Sequence, residues 1–163
     1  MGADADGWGR ESMGAVALFR ANQTGYLPGH LGLDWVEIKR GFVRSRFDVG
    51  KHHLAPNSYL HAAAVVAMAD TACGYGCIVS LPDGATGFTT AELKANFIGT
   101  VLDGGISCEA RLVHGGRTTQ VWDAEVKSEA SGKPSPCFAA PRLFCRNLAA
   151  LNKAKQIVDL GFS

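Results

Sequence analysis

An α+β fold in which antiparallel strands wrap one long apolar helix is predicted from three features of the sequence. Residues 60–79 form a stretch of about 20 mostly apolar residues, so a helix there must bury both of its stripes. Runs of alternating apolar and polar residues lie on either side of it, two before and four after. Turn formers such as Pro82-Asp83-Gly84, Gly115-Gly116 and Ser131-Gly132 separate the later runs. The chain has 163 residues, 47% hydrophobic and 19% charged, which fits one folded domain and excludes a disordered chain. A net charge of +1 leaves no broad electrostatic footprint for nucleic acid or an anionic membrane.

The elements follow in order. Residues 1–9 are rich in Gly, Asp and Ala and read as a frayed start. Residues 12–22 carry Val16, Leu18 and Phe19 on a short helix that stops in a stretch rich in Asn, Gly and Pro. Residues 33–39 and 42–49 alternate around Gly41 and form a hairpin, with Arg44, Arg46 and Asp48 on one face and Val43, Ser45 and Phe47 on the other. Asn57 and Ser58 suit the cap of a helix over 59–79. Strands are expected over 89–98, 105–114, 117–128 and 136–146. In the first of these, Ala91, Leu93, Ala95 and Phe97 alternate with Thr90, Glu92, Lys94 and Asn96. Pro141 cannot donate to a ladder, which predicts an edge position or a bulge. Residues 147–160 read as a weak terminal helix.

The long apolar stretch contains His61, Asp70, Gly74 and Gly76, and an ionised Asp is expensive in lipid, so a core helix is expected rather than a membrane span. The five cysteines form no CxxC pair, and their odd number cannot all pair within one chain. With no secretory pattern at the start, this predicts reduced thiols and a cytoplasmic setting. Cys73 and Cys77 read as buried small residues rather than metal ligands.

Asp70 is the acid that draws attention. It is the only one between Asp48 and Asp83, and its apolar neighbours require it to be paired, neutral or facing a cavity. His61 starts the same helix, where free backbone N–H groups favour an oxyanion. The two residues are nine apart, about 13 Å along an axis rising ~1.5 Å per residue, and point to opposite sides. A working pair therefore needs an antiparallel helix from a second copy, that is, a homodimer with two shared sites. Asn57 and Thr90 have ordinary readings as a cap and a strand hydroxyl. The basic residues Lys39, Arg40, Arg44, Arg46, Lys51, His52 and His53 read first as a solvated face, and Arg117 as a hairpin exit. No Walker loop, GxGxxG, GxSxG or HExxH occurs, which removes the usual nucleotide, serine-hydrolase and zinc-protease readings.

Asn57-Ser58-Tyr59-Leu60-His61-Ala62, then Asp70-Thr71, then the run from Thr89 to Phe97 and the His114-Gly115-Gly116-Arg117-Thr118 hairpin resemble the hotdog-fold acyl-CoA thioesterases of the PaaI type. The resemblance spans about residues 32–146, and implies an N-terminal segment at 1–31 and a tail at 147–163. It implies a sheet of about six strands around the central helix, sites shared across a homodimer, and a homotetramer of two such dimers. It implies Asp70 as the carboxylate that activates water or attacks the thioester, and the N–H of Ala62 as an oxyanion donor. His61 and Asn57 would be positioning groups, Thr90 a hydroxyl near the carboxylate, and Thr71 and Arg117 substrate-binding positions. The substrate would be an acyl-CoA, with no metal or redox cofactor and no nucleic-acid or membrane partner. The chain departs from the family pattern at Ala62, where Gly is usual, and at Ala55, six before His61, where Asn or Gln is usual. A hotdog dehydratase and a non-catalytic acyl-CoA-binding module are the competing readings; the first lacks its HFPxxP-like segment here, and the second gives no reason to bury Asp70.

Overall fold

The computed structural model describes residues 5–129 and 141–149. Helix α1 (Ala5–Asn22) and the short α2 (Leu27–His30) precede strands β1 (Asp34–Lys39) and β2 (Phe42–Asp48). A 3-10 turn at Lys51–His53 leads to helix α3 (Ala62–Val79), followed by β3 (Ala85–Lys94), β4 (Gly105–Gly115), β5 (Thr119–Ser128) and β6 (Arg142–Ala149). The six strands form one antiparallel sheet in the order β1-β2-β4-β5-β6-β3, and α3 lies against it as the expected filling. The strands alternate as they must when one face is covered. Val43, Ser45 and Phe47 are buried on β2, Ile106, Cys108 and Ala110 on β4, and Trp122, Ala124 and Val126 on β5. They meet Val65, Met68, Ala69, Ala72, Cys73 and Cys77 of α3.

Although α3 is long and apolar enough to cross a membrane, half of it is buried against this sheet. Two glycines let it come close. A Cβ on Gly76 would lie 2.5 Å from the Trp122 ring, and one on Gly74 would lie 2.9 Å from Phe88. Glycine in a helix interior costs roughly 1 kcal/mol against Ala, and here it is what the packing requires.

Several expected boundaries move, each for a physical reason. Helix α1 begins at Ala5 rather than 12, inside the segment read as frayed. It is anchored at its far end, where buried Phe19 stacks on Tyr75 at 4.2 Å. Buried Gln23 donates to the Leu33 carbonyl and accepts from the Trp35 indole N–H. Helix α3 begins at Ala62, because Leu60 is held extended by a bridge to Leu54 and a bond to the Val101 carbonyl. Strand β3 stops at Lys94 rather than 98, since its partner β6 begins at Arg142, opposite Lys94. A register shift between Thr90 and Glu92 also breaks the expected alternation, leaving Ala91 exposed. Pro141 stands ahead of β6 rather than within it, with its carbonyl accepting the Ala124 N–H. Residues 147–149 finish β6 instead of starting a helix; the rest of the predicted terminal helix, residues 136–140 and Cys137 lie outside the described residues. Strand β5 begins at Thr119, after a turn closed by Gly116 N–H donating to the Thr119 carbonyl.

Candidate active site

The site is built around the N-terminus of α3. His61, not Asn57 or Ser58, is the N-cap: its backbone is extended (φ −69°, ψ 130°) and Nδ1 accepts the Ala63 N–H at 3.0 Å. Asn57 and Ser58 instead form the turn before it, in which the Asn57 side chain accepts the Tyr59 N–H at 3.3 Å. Ser58 sits at φ +68°, the left-handed region that costs a non-glycine residue strain. Because Nδ1 accepts, the imidazole proton of the neutral ring sits on Nε2, leaving a donor free for other use.

Helix N-termini leave their first N–H groups without intrahelical partners, and each can be accounted for here. That of His61 donates to the His53 carbonyl, that of Ala63 to His61 Nδ1, and that of Ala64 to the His61 carbonyl. The Ala62 N–H has no acceptor among the described residues, and Ala62 is exposed. The unclaimed donor at this helix end is thus that of Ala62, the position the family resemblance implies for an oxyanion donor.

Asp70 lies two and a half turns further along, half-buried. Thr90 of β3 donates to its Oδ1 at 3.2 Å. Burial raises the carboxyl above its ordinary value, and the Thr90 hydrogen bond opposes that only in part. No hydrogen bond or ion pair joins His61 to Asp70 within the chain, as the helical spacing requires. The Thr71 hydroxyl donates back to the Ala67 carbonyl at 2.6 Å. Arg117 is exposed in the β4–β5 turn with no ion pair among the described residues. By contrast Lys39, Arg44 and Arg46 of the basic stretch are each paired with carboxylates. His53 is buried with both ring nitrogens used: Nδ1 accepts the Gly50 N–H, and Nε2 lies 2.9 Å from the Leu31 carbonyl. Burial lowers its affinity for a proton.

Two features escape sequence reasoning. The first is a buried polar chain in which the Trp122 indole donates to Gln120, and Gln120 donates to Asn147 and to the Cys77 carbonyl. The Asn147 amide then donates to the Gly116 and Arg117 carbonyls at 3.0 and 3.2 Å, tying down the hairpin. The only signal was Gln120 standing at a buried position of an alternating run. The second is a cavity of about 270 Å³ between α2 and the first turns of α3, with His61 and Ala63 in its wall. A larger hollow of about 580 Å³ lies on the opposite face of the sheet, among Glu109, Arg111, Asp123 and Arg142. There Arg111 pairs with Glu109 and Arg142 with Asp123, and none of the residues singled out for chemistry lines it.

The family model described as Thioesterase superfamily matches residues 57–135. The chain is 33% identical over 122 residues to "Putative esterase PA1618" of Pseudomonas aeruginosa, covering 73% of this chain and 81% of the relative. It is 26% identical over 130 residues to "Proofreading thioesterase EntH" of Klebsiella pneumoniae, covering 80% and 93%. It is 26% identical over 99 residues to "1,4-dihydroxy-2-naphthoyl-CoA hydrolase" of Listeria monocytogenes, covering 61% and 80%. A crystal structure of a PA1618 thioesterase variant superposes with a TM-score of 0.75 at 24% identity, covering 83% of this chain and 94% of that one. A long helix wrapped by a six-stranded antiparallel sheet is the hotdog arrangement, and with these likenesses the chain belongs to the thioesterase superfamily.

Proposed function

We propose that this thioester hydrolase acts on acyl-CoA at two sites, each shared between copies of a homodimer. The unclaimed Ala62 N–H carries the reading. One copy offers this donor to the thioester oxygen, at a helix end whose dipole favours developing negative charge. The His61 Nε2–H lies beside it as a positioning group. The second copy contributes Asp70 with Thr90. Asp70 takes a proton from water as the water oxygen bonds to the carbonyl carbon; the C–S bond then breaks, and the thiolate leaves and is protonated. A carboxylate whose proton affinity is raised by burial suits a base better than a solvated one does. These groups suffice for the chemistry without a metal or redox group.

The exposed edge of β3 supports pairing between copies. Thr90, Ala91 and Glu92 are uncovered, and just beyond the strand Phe97 and Ile98 are 45% and 75% exposed. Two such dimers forming a tetramer fits the same reading. Arg117, fixed by Asn147, is the proposed contact for the phosphates of CoA; Asn57 and Thr71 serve the turn and the helix first. The buried thiols of Cys73, Cys77 and Cys145, none of them in a disulfide, support a reducing, cytoplasmic setting.

The test is thiol release from a panel of acyl-CoAs. Asp70→Asn is expected to lose at least ~10²-fold in kcat. Its fold should be kept and its melting temperature at pH 7 raised. The raised carboxyl of Asp70 opposes folding above its unfolded value, so removing the charge stabilises at pH 7 and not at pH 3. Mixing inactive Asp70→Asn with inactive Ala62→Pro should restore about a quarter of wild-type activity, because half of the dimers then carry one intact site. Full activity in Asp70→Asn, or no recovery on mixing, would refute the shared site.

A further inference from the structure

We infer that the cavity beside the first turns of α3 receives the acyl group, and that Leu27 and Leu31 set how long an acyl group it admits. The inference rests on the acyl-CoA thioesterase reading and adds the substrate class. Ala62, whose N–H donates to the thioester carbonyl oxygen in that reading, stands between His61 and Ala63, and both of these line the cavity. A thioester held at the Ala62 N–H therefore has the cavity mouth within reach of its acyl carbons. The walls suit an apolar chain: Ala63, Ala64 and Ala67 make that flank of α3 shallow, and Leu27, Leu31 and Leu54 close the other side.

These walls are held in place. The Leu31 N–H donates to the Leu27 carbonyl, and the Leu31 carbonyl bonds to His53, whose other ring nitrogen is fixed by Gly50. Among the described residues no carboxylate or lysine lines the space. His52, His53 and His61 also line it, and both ring nitrogens of His53 are already engaged, so the six alanine and leucine side chains make the apolar part of the wall. The volume sets the size. An apolar cavity of roughly 150 Å³ takes a benzene ring, so about 270 Å³ takes a single ring with a short arm or a chain of roughly six to eight carbons. Leu27 and Leu31 precede residue 57, where the match to the family model begins.

The experiment compares kcat/KM along a series of straight-chain acyl-CoAs, from acetyl to dodecanoyl, in wild type, Leu27→Trp and Leu31→Trp. Leu27 is 61% exposed, so its variant tests the cavity without threatening the core. Each buried methylene multiplies kcat/KM roughly fourfold. Wild type should therefore climb to about octanoyl and then level off. Each Trp variant should lose at least ~10-fold on octanoyl-CoA, worth some two methylenes, while staying within about 3-fold on acetyl-CoA. A profile unchanged in both variants, or lowered equally at every length with the melting temperature intact, would overturn the proposal. Absence of thiol release by wild type from every substrate would instead refute the thioesterase reading. The cavity is then decided by calorimetry with the thioethers S-octyl-CoA and S-ethyl-CoA. Tighter binding of the octyl compound that is lost in Leu27→Trp supports the pocket, and equal binding of the two overturns it.

Discussion

Replacing Ala62 by proline removes one hydrogen-bond donor and almost nothing else. Ala62 is the first residue of α3 and is exposed; among the described residues its N–H has no acceptor, so no bond of the fold is lost. Proline is favoured at this helical position, where its fixed φ is already the helical one. The residue before a proline must be extended, with ψ between about +120° and +160°, and His61 is already there at ψ 130°. The His61 cap on Ala63 and the His61 carbonyl bond to Ala64 are untouched. Stability should change by no more than about 0.5 kcal/mol, within ~2 °C of melting temperature for a chain of this size. Loss of one oxyanion donor is worth about 10²–10³ in kcat, or ~2.7–4 kcal/mol. The assay pairs thiol release with a thermal melt, using Ala62→Gly as a control that keeps the donor. A proline variant that melts like wild type and retains activity within about 3-fold would refute the oxyanion role of this N–H.

Other expectations follow from the same geometry. Gly76→Ala should lower stability by about 1–3 kcal/mol, since overpacking against fully buried Trp122 and strain on its bond to Gln120 outweigh the helical gain of Ala; a calorimetric melt at or above the wild-type temperature would contradict this. Thr90→Val removes the hydrogen bond that favours the charged Asp70, so the acidic limb of the kcat/KM profile should move to higher pH, with a deeper loss at pH 5 than at pH 8. An unshifted limb would mean that another group governs it. His53 holds its proton less tightly folded than unfolded, so stability is full above about pH 6.5 and falls as the pH drops below that value. Melting temperature should decline between pH 7.5 and 5.5, and His53→Phe should flatten the slope even if it lowers the starting value.

What the sequence made legible was whatever is written in local periodicity. Helix α3 announced itself because both of its stripes are apolar, and β2, β4 and β5 because their alternation matches a sheet with one covered face. Asp70 stood out because an acid in such company needs a reason, and its nine-residue distance from His61 followed from helical geometry alone. Missing were the arrangements decided by partners distant in the chain. Asn57 and Ser58 have the chemistry of caps, but Leu60 is pinned extended by Leu54 and Val101, which moves the cap to His61. Strand β3 reads as regular because its bulge depends on register with β6. Asn147 looks like any polar residue, and it becomes the holder of the Arg117 turn only across about thirty residues of chain. The cavity wall at Leu27 and Leu31 belongs to a segment whose sequence shows only a turn-rich stretch after a helix.

The strand order has a consequence for the chain as it is made. Strand β3 supplies Thr90 to Asp70, yet its partner within the sheet is β6, the last strand, about fifty residues later. On a ribosome adding residues one at a time, the first two strands and α3 can meet early, whereas β3 must wait for β6. Until then its amide edge stays open and Asp70 lacks its hydroxyl neighbour. The Asp70–Thr90 contact is therefore among the last parts of the protomer to be assembled, and substitutions in β6 that leave the early core sound should act on the yield of competent enzyme rather than on its turnover once folded.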